Sequence, residues 1–348
     1  MNVGLSTHGR SQRAAATFTL YVETACTCGT NPDGCPARRP LPRWNAPCDD
    51  LSSMSSTRAA RAVWWMVWAV VVVVGGCGAP DSRRDVSYDP RHGEAGLMDV
   101  YMPDGAGPHP GVMLIHGGGW RAGSRSAYTD AAKRLARSGY VAATIEYRLV
   151  GEGGGYPGTV QDCVCALAHF RANAPAYGLD PRRVAVMGYS AGGHLAGLLG
   201  VAATAPEHVP DCAAGATDPP NAVIVGAGAT DLRGRDHSWV RDFLGGTEAE
   251  RPAQYASASP ITHVGPNKPP FLFVGGSADW FVDIDDNGYV MQRALSAAGN
   301  DARVLQVTGG GHLLNATTDN GGLMLGTSEV TPEAWIAIID FLDRTVGR

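Results

Sequence analysis

The stretch Val184-Ala185-Val186-Met187-Gly188-Tyr189-Ser190-Ala191-Gly192-Gly193-His194-Leu195-Ala196 decides how this chain folds. Val184 to Met187 is apolar and largely β-branched, a short strand. From Ser190 to Val201 the residues are rich in Ala, Leu and Gly, a helix. Between them stands G-x-S-x-G, Gly188 to Gly192. A strand that turns straight into a helix needs a tight, strained elbow, which lifts its apex side chain above the sheet. A side chain at either glycine would clash with neighbouring backbone. The apex residue is Ser190, and the adjoining helix N-terminus favours negative charge beside it. Ser190 is therefore the candidate nucleophile.

Outward from this elbow, strands alternate with helices. Leu97 to Met102 alternates and reads as an edge strand. Gly111 to His116 is a continuous apolar run, as expected for a strand buried on both faces. Tyr140 to Tyr147, Ala222 to Val225, Phe271 to Val274 and Arg303 to Val307 are further strands. Thr129 to Ser138, Val160 to Asn173, Asn287 to Ala298 and Pro332 to Val346 read as helices. This alternation predicts an α/β protein, with a mostly parallel sheet covered by helices on both faces.

Two more stretches complete a chemistry. His116-Gly117-Gly118-Gly119-Trp120 ends the strand that begins at Gly111. An acyl-transfer site must hold an oxygen that turns negative, and backbone N–H groups unshielded by side chains do this well. Gly118, Gly119 and Ala191 are the candidate donors. A phosphate-cradling reading fails, because neither the P-loop Lys-Ser/Thr pair nor a dinucleotide fingerprint is present. Of the histidines after Ser190, only His312 follows the last strand behind a run of glycines, Gly309 to Gly311. That places it at the carboxyl end of the sheet, where ligands bind in open α/β folds. His194 rides the nucleophile helix away from the Ser190 hydroxyl, and His263 reads as structural. Asp279 follows the strand Phe271–Val274 and is the candidate acid that orients His312. Asp231 and Asp283 are its rivals. Trp120, Tyr189, Trp280 and Phe281 are candidate pocket-lining residues, with plain core packing as the competing assignment.

These stretches, together with LMDVYMP from Leu97, Glu146-Tyr147-Arg148-Leu149, Ala258-Ser259-Pro260 and PPFLFVGGSADWFV from Pro269, resemble a known family. It is the α/β-hydrolase esterases with an HGGGW oxyanion motif, a group containing acetyl esterases, acetyl-xylan and feruloyl esterases, and arylformamidases. The likeness runs over roughly residues 95–345. It implies a carboxylic ester hydrolase without metal or organic cofactor, with Ser190, His312 and Asp279 as catalytic triad. An arylformamidase or amidase with the same triad is the alternative within enzymes, and a non-catalytic binding module of this fold, or a lipid-anchored substrate-binding protein, the alternative outside them. Two departures stand out. The family often carries Asp-x-x-Val-Pro on the acid loop, where this chain has Asp279-Trp280-Phe281-Val282-Asp283. Related lipases place a helical cap before the glycine loop, where the residues from Cys77 to His116 read here as strands and turns. A compact enzyme without a large cap domain is expected.

The remaining sequence sets bounds. Hydrophobic residues make up 44% and charged residues 18%, with a formal net charge of -5, which fits a packed globular protein. No Lys/Arg cluster stands out in the later part of the chain, so nucleic acid is not an expected partner. Residues 1–53 lack apolar periodicity and are expected to be a mis-assigned or disordered extension. Cys26, Cys28 and Cys35 match no strong zinc spacing. Residues 54–77 carry Arg58 and Arg61, the apolar run Val63 to Val74, and Gly75-Gly76-Cys77. These are the parts of an export signal, too short to span a bilayer, which takes ~20 apolar residues. Val74-Gly75-Gly76-Cys77 resembles a bacterial lipobox, which implies lipidation of Cys77 and anchoring in the cell envelope. Residues 78–348 then form the catalytic domain. Within it, Cys163 and Cys165 point to different sides of one helix. One of them could bridge to Cys212 in an oxidising compartment, and small buried thiols are the equal alternative.

Overall fold

The computed structural model describes residues 80–312 and 332–347, all within the unit Cys77–Arg348. The expectations for 1–53 and 54–77, Cys77 included, lie outside the described residues. Among the described residues no helix is long and apolar enough to cross a membrane.

Eight strands make one mixed sheet: β1 (Asp81–Ser87), β2 (Leu97–Met102), β3 (His109–Ile115), β4 (Val141–Ile145), β5 (Leu179–Tyr189), β6 (Ala222–Gly226), β7 (Phe271–Gly276) and β8 (Ala302–Val307). Their spatial order is β1-β2-β4-β3-β5-β6-β7-β8. β1, β2 and β4 pair antiparallel, and β4, β3 and β5 through β8 run parallel. The helices are α1 (Thr129–Arg137), α2 (Gly158–Ala172), α3 (Ala174–Tyr177), α4 (Ala191–Ala202), α5 (Ser238–Leu244), α6 (Pro252–Ser257), α7 (Val290–Ala297) and α8 (Pro332–Thr345).

The apolar runs of the central strands follow from burial on both faces. Met113 and Ile115 of β3, Val184 and Val186 of β5, and Phe271 and Phe273 of β7 face one core with α2, α4, α5 and α7. Their alternates Val112 and Leu114, Ala185 and Met187, and Leu272 and Val274 face a second core with α1 and α8. Each side chain in such a strand is removed from water whichever way it points, so the sequence needs no polar alternation.

Three expectations need correction. Leu97–Met102 is not an edge strand: β1 lies outside it, and Asp81, Ser82 and Arg83 pair with Met102, Tyr101 and Val100. β1 reads DSRRDVS and is exposed along almost its whole length, so it carries no hydrophobic signal. The nucleophile strand extends well before Val184, starting at Leu179. The helix expected from Asn287 opens two residues earlier, as the π-helical turn Asp285–Tyr289 that leads into α7.

Between Met102 and β3 there is only a short connection, and the segment before it is β1, a 3-10 turn (Pro90–Gly96) and β2. Among the described residues no helical cap precedes the glycine loop. The longest insertion among the described strands lies between β6 and β7 and carries α5 and α6. Cys165 on α2 is bonded to Cys212, and Cys163 is a buried free thiol.

Candidate active site

The elbow is built as the spacing requires. Ser190 sits at φ 54°, ψ −120°, a conformation outside the regions that L-residues favour. Its N–H donates to Gly226 O at 2.8 Å, and its own carbonyl accepts from His194 N at 3.0 Å. These two bonds tie the turn to β6 in front and α4 behind. A Cβ on Gly188 would stand 2.2 Å from Gly192 O, and one on Gly192 would stand 2.0 Å from Ile115 O. Both obstacles are backbone and cannot move aside, so no larger residue fits either place.

The chain then brings three distant residues together. His312 Nε2 lies 3.0 Å from Ser190 Oγ, and His312 Nδ1 lies 2.8 Å from Asp279 Oδ2. The Asp279 side chain is fully buried and that of His312 one-fifth exposed. The other Asp279 oxygen, Oδ1, accepts the N–H groups of Phe281 and Val282, each at 2.9 Å. These bonds fix the carboxylate so that Oδ2 faces the imidazole. Since a carboxylate only accepts, Nδ1 carries the proton and Nε2 is left free to receive one from the serine.

The rivals are occupied elsewhere. Asp283 Oδ1 accepts from Asp285 N and Asp286 N at the start of the π-helical turn. Asp231 pairs with Arg233. His194 is buried, with Nε2 2.7 Å from Ala258 O, and burial pushes its pKa down to about 4. His263 Nε2 meets Ser257 O at 2.7 Å. Both rings are thus held by backbone carbonyls.

The glycine loop bends sharply: Gly118, Gly119 and Trp120 have φ of 114°, 59° and 60°. Residues not read as functional from the sequence support it from below. Tyr147 stacks on the buried His116 ring at 4.2 Å and donates its hydroxyl to His116 O at 2.9 Å. His116 Nδ1 lies 2.8 Å from Gly117 O, and its Nε2 lies 3.4 Å from Glu146 Oε2. Glu146 also receives Arg125 N at 3.0 Å. Burial opposes ionisation of Glu146, but His116 and Arg125 outweigh it and hold its pKa below the usual carboxylate range. Arg148, next along, binds Asp162 of α2 through several hydrogen bonds. The Glu146-Tyr147-Arg148 stretch thus fastens the loop to β4 and α2. Its signal in the sequence was the motif itself, which spacing alone does not connect to His116.

A cavity of about 260 Å³, counted with its open mouth, adjoins Ser190. Gly119 and Ala191 line it, and Trp120 and Phe281 form part of its wall. Trp239, Ala229 and Val282 complete it and were not anticipated. Trp239 comes from α5 and stacks against Trp120 at 5.5 Å and against Phe281 at 5.3 Å. An isolated Trp on a short helix gives no periodic signal. Two expected lining residues stand elsewhere. Tyr189 is buried in the second core and donates its hydroxyl to His312 O, so it braces the histidine from behind. Trp280 is 77% exposed and lies outside the cavity wall. Gly118 is one residue back from the lining Gly119. Among the described residues no cluster of three or more His, Cys, Asp or Glu is placed to hold a metal ion.

Comparison with known proteins places this architecture. The BD-FAE family model matches residues 98–294, more than half of the chain. The chain belongs to the BD-FAE family of α/β-hydrolase esterases. Esterase LipC of Mycobacterium tuberculosis (strain ATCC 25618 / H37Rv) is 33% identical over 245 residues, covering 66% of this chain and 59% of LipC. The chain spans little more than half the length of the curated relatives it matches, as with the 51% it covers of a second mycobacterial relative. Among solved structures, a truncated carbohydrate esterase from gut microbiota aligns with a TM-score of 0.67 at 22% identity, over 78% of this chain and 98% of that one. The Thermogutta terrifontis esterase Est2 aligns with a TM-score of 0.59 at 23% identity, over 76% and 92%. These likenesses establish the α/β-hydrolase fold.

Proposed function

We propose that the chain is a serine carboxylic ester hydrolase that works through Ser190, His312 and Asp279. The observation that carries this reading is the unbroken hydrogen-bonded line from Ser190 Oγ through His312 to Asp279, set on the strained elbow. Esterase relatives such as LipC support it.

Ser190 Oγ attacks the ester carbonyl carbon while His312 Nε2 takes its proton. Asp279 keeps Nδ1–H in place and stabilises the imidazolium. The carbonyl oxygen, now negative, is received by the N–H groups of Gly118, Gly119 and Ala191, each such donor contributing ~10²–10³ in rate. His312 returns the proton to the leaving alcohol, and the bond to that alcohol breaks. Water repeats the sequence on the acyl-enzyme, freeing the acid and restoring Ser190. No metal or organic cofactor takes part in this scheme. The substrates are short-chain or aryl and sugar acyl esters, in keeping with a small apolar cavity walled by aromatic rings.

The site of action is the cell envelope, reached by export through residues 54–77 and lipidation of Cys77. The Cys165–Cys212 bridge supports an oxidising compartment. Replacing Cys77 by Ser should release the protein from the membrane fraction. Retention of that variant in the fraction would refute lipid anchoring.

The catalytic reading is tested by hydrolysis of p-nitrophenyl acetate and butyrate beside Ser190→Ala. The wild type should turn over both esters, and the variant should lose ~10⁶ in kcat. A folded wild type inert toward these esters but active on N-formyl aryl amines would move the assignment to a formamidase.

A further inference from the structure

We propose that Trp239 sets the acyl-chain length this enzyme accepts, a reading that rests on the esterase function above and deepens it. A tetrahedral centre on Ser190 Oγ has three remaining directions. The oxyanion points to the N–H groups of Gly118, Gly119 and Ala191. The leaving oxygen must meet His312 Nε2, because it departs with that proton. The third direction belongs to the acyl chain. The cavity shares Ser190, Gly119 and Ala191 with this centre, and His312 is not part of its wall. The Phe281 ring, itself part of the cavity wall, packs edge to face with His312 at 5.0 Å and tilted against Trp239 at 5.3 Å. The cavity therefore lies away from the proton donor and receives the group that stays on the carbonyl carbon.

Three rings bound that space, and they differ in what holds them. Trp120 is buried and stacked on Phe243 at 4.4 Å, so its position belongs to the core. Phe281 sits on the acid loop, where its N–H is bonded to Asp279. Trp239 is only partly buried, and it comes from α5, in the insertion between β6 and β7. Its ring bridges the other two, Trp120 at 5.5 Å and Phe281 at 5.3 Å. It is thus the wall element whose size is independent of the catalytic loops. With Trp239 in place its indole forms part of the cavity wall beside Trp120 and Phe281, so an acyl chain cannot extend through that part of the wall. Without it, the gap between Trp120 and Phe281 opens toward α5.

The test is kcat/KM of the purified protein for p-nitrophenyl acetate, butyrate and octanoate, for wild type, Trp239→Ala and Trp239→Leu. A methylene that does not fit an apolar pocket costs ~10-fold or more. Wild type should therefore fall by at least ~10-fold from butyrate to octanoate, and Trp239→Ala should raise the octanoate-to-acetate ratio by ~10-fold or more, with Trp239→Leu between. Phenyl and naphthyl acetate vary the alcohol at fixed acyl group, and their ratio should stay put. An octanoate-to-acetate ratio unchanged in both variants overturns the proposal. So does a shift confined to the naphthyl-to-phenyl ratio, which would make the cavity an alcohol site. Either result leaves wild-type ester turnover standing, whereas an inert wild type would instead remove the esterase reading on which the proposal depends.

Discussion

At the scale of single residues, the two oxygens of Asp279 have separate duties. Oδ1 holds the turn through Phe281 N and Val282 N, and Oδ2 faces His312 Nδ1. Asp279→Asn can keep the first duty by presenting its amide oxygen to the turn. It then offers an NH₂ to His312 and imposes the tautomer whose Nε2 cannot accept the serine proton. A kcat loss of ~10⁴ with unchanged thermal stability is expected. Asp283→Asn, whose oxygen only caps the next turn, should keep kcat within about threefold, since it does not touch the triad. Parallel steady-state kinetics and melting curves for the two variants check both statements. Equal losses would mean that the acid has been misassigned. The three residues that the structure brings together were legible in the sequence because each is announced by local backbone chemistry: Ser190 by its glycines, His312 by Gly309–Gly311, Asp279 by a strand end. Trp239 was not, because its neighbours Trp120 and Phe281 reach it only through tertiary packing.

At the scale of elements, legibility followed burial. β3, β6, β7 and the Val184–Tyr189 part of β5 are buried on both faces and announced themselves as apolar runs. β1 pairs along a charged edge, with Arg84 bound to Asp99 of β2, so its sequence looks like a loop. The helices α5 and α6 are too short for periodicity to register. The disulfide falls between these cases. Spacing could offer Cys163 or Cys165 as partner of Cys212, and only the packing of α2 against the loop after α4 selects Cys165. The bridge closes a loop of separation 47, which in the chain-entropy picture stabilises the fold by about 4 kcal/mol. Replacing both Cys165 and Cys212 by Ala should lower unfolding free energy by roughly 2–4 kcal/mol in a denaturant titration. Wild type with and without reductant should show the same difference, and identical curves would contradict the bridge.

At the scale of the whole molecule, acid should unfold this protein by way of its buried ionisable groups. His194 has a folded pKa of about 4 against an ordinary 6.5, because burial disfavours its charged form. The unfolded chain therefore binds the extra proton between those values, so stability falls as pH drops from 6.5 to 4. The loss is on the order of 3 kcal/mol at most. Glu146 acts further down the scale: its pKa is held below the ordinary 4.5, so its contribution is present above that pH and disappears as pH falls below it. His194→Gln can keep the donor to Ala258 O without the titration. Its stability, followed by chemical denaturation from pH 7 to 4, should decline less steeply than that of wild type. A slope identical to wild type would show that His194 is not the group responsible.

The central claim is that His312 activates Ser190, and labelling with a fluorophosphonate followed by peptide mass spectrometry tests it most directly. A single adduct is expected, on Ser190, lost in Ser190→Ala and slowed by several orders of magnitude in His312→Ala. A folded wild-type protein that takes no label, or carries it on another residue, would contradict it.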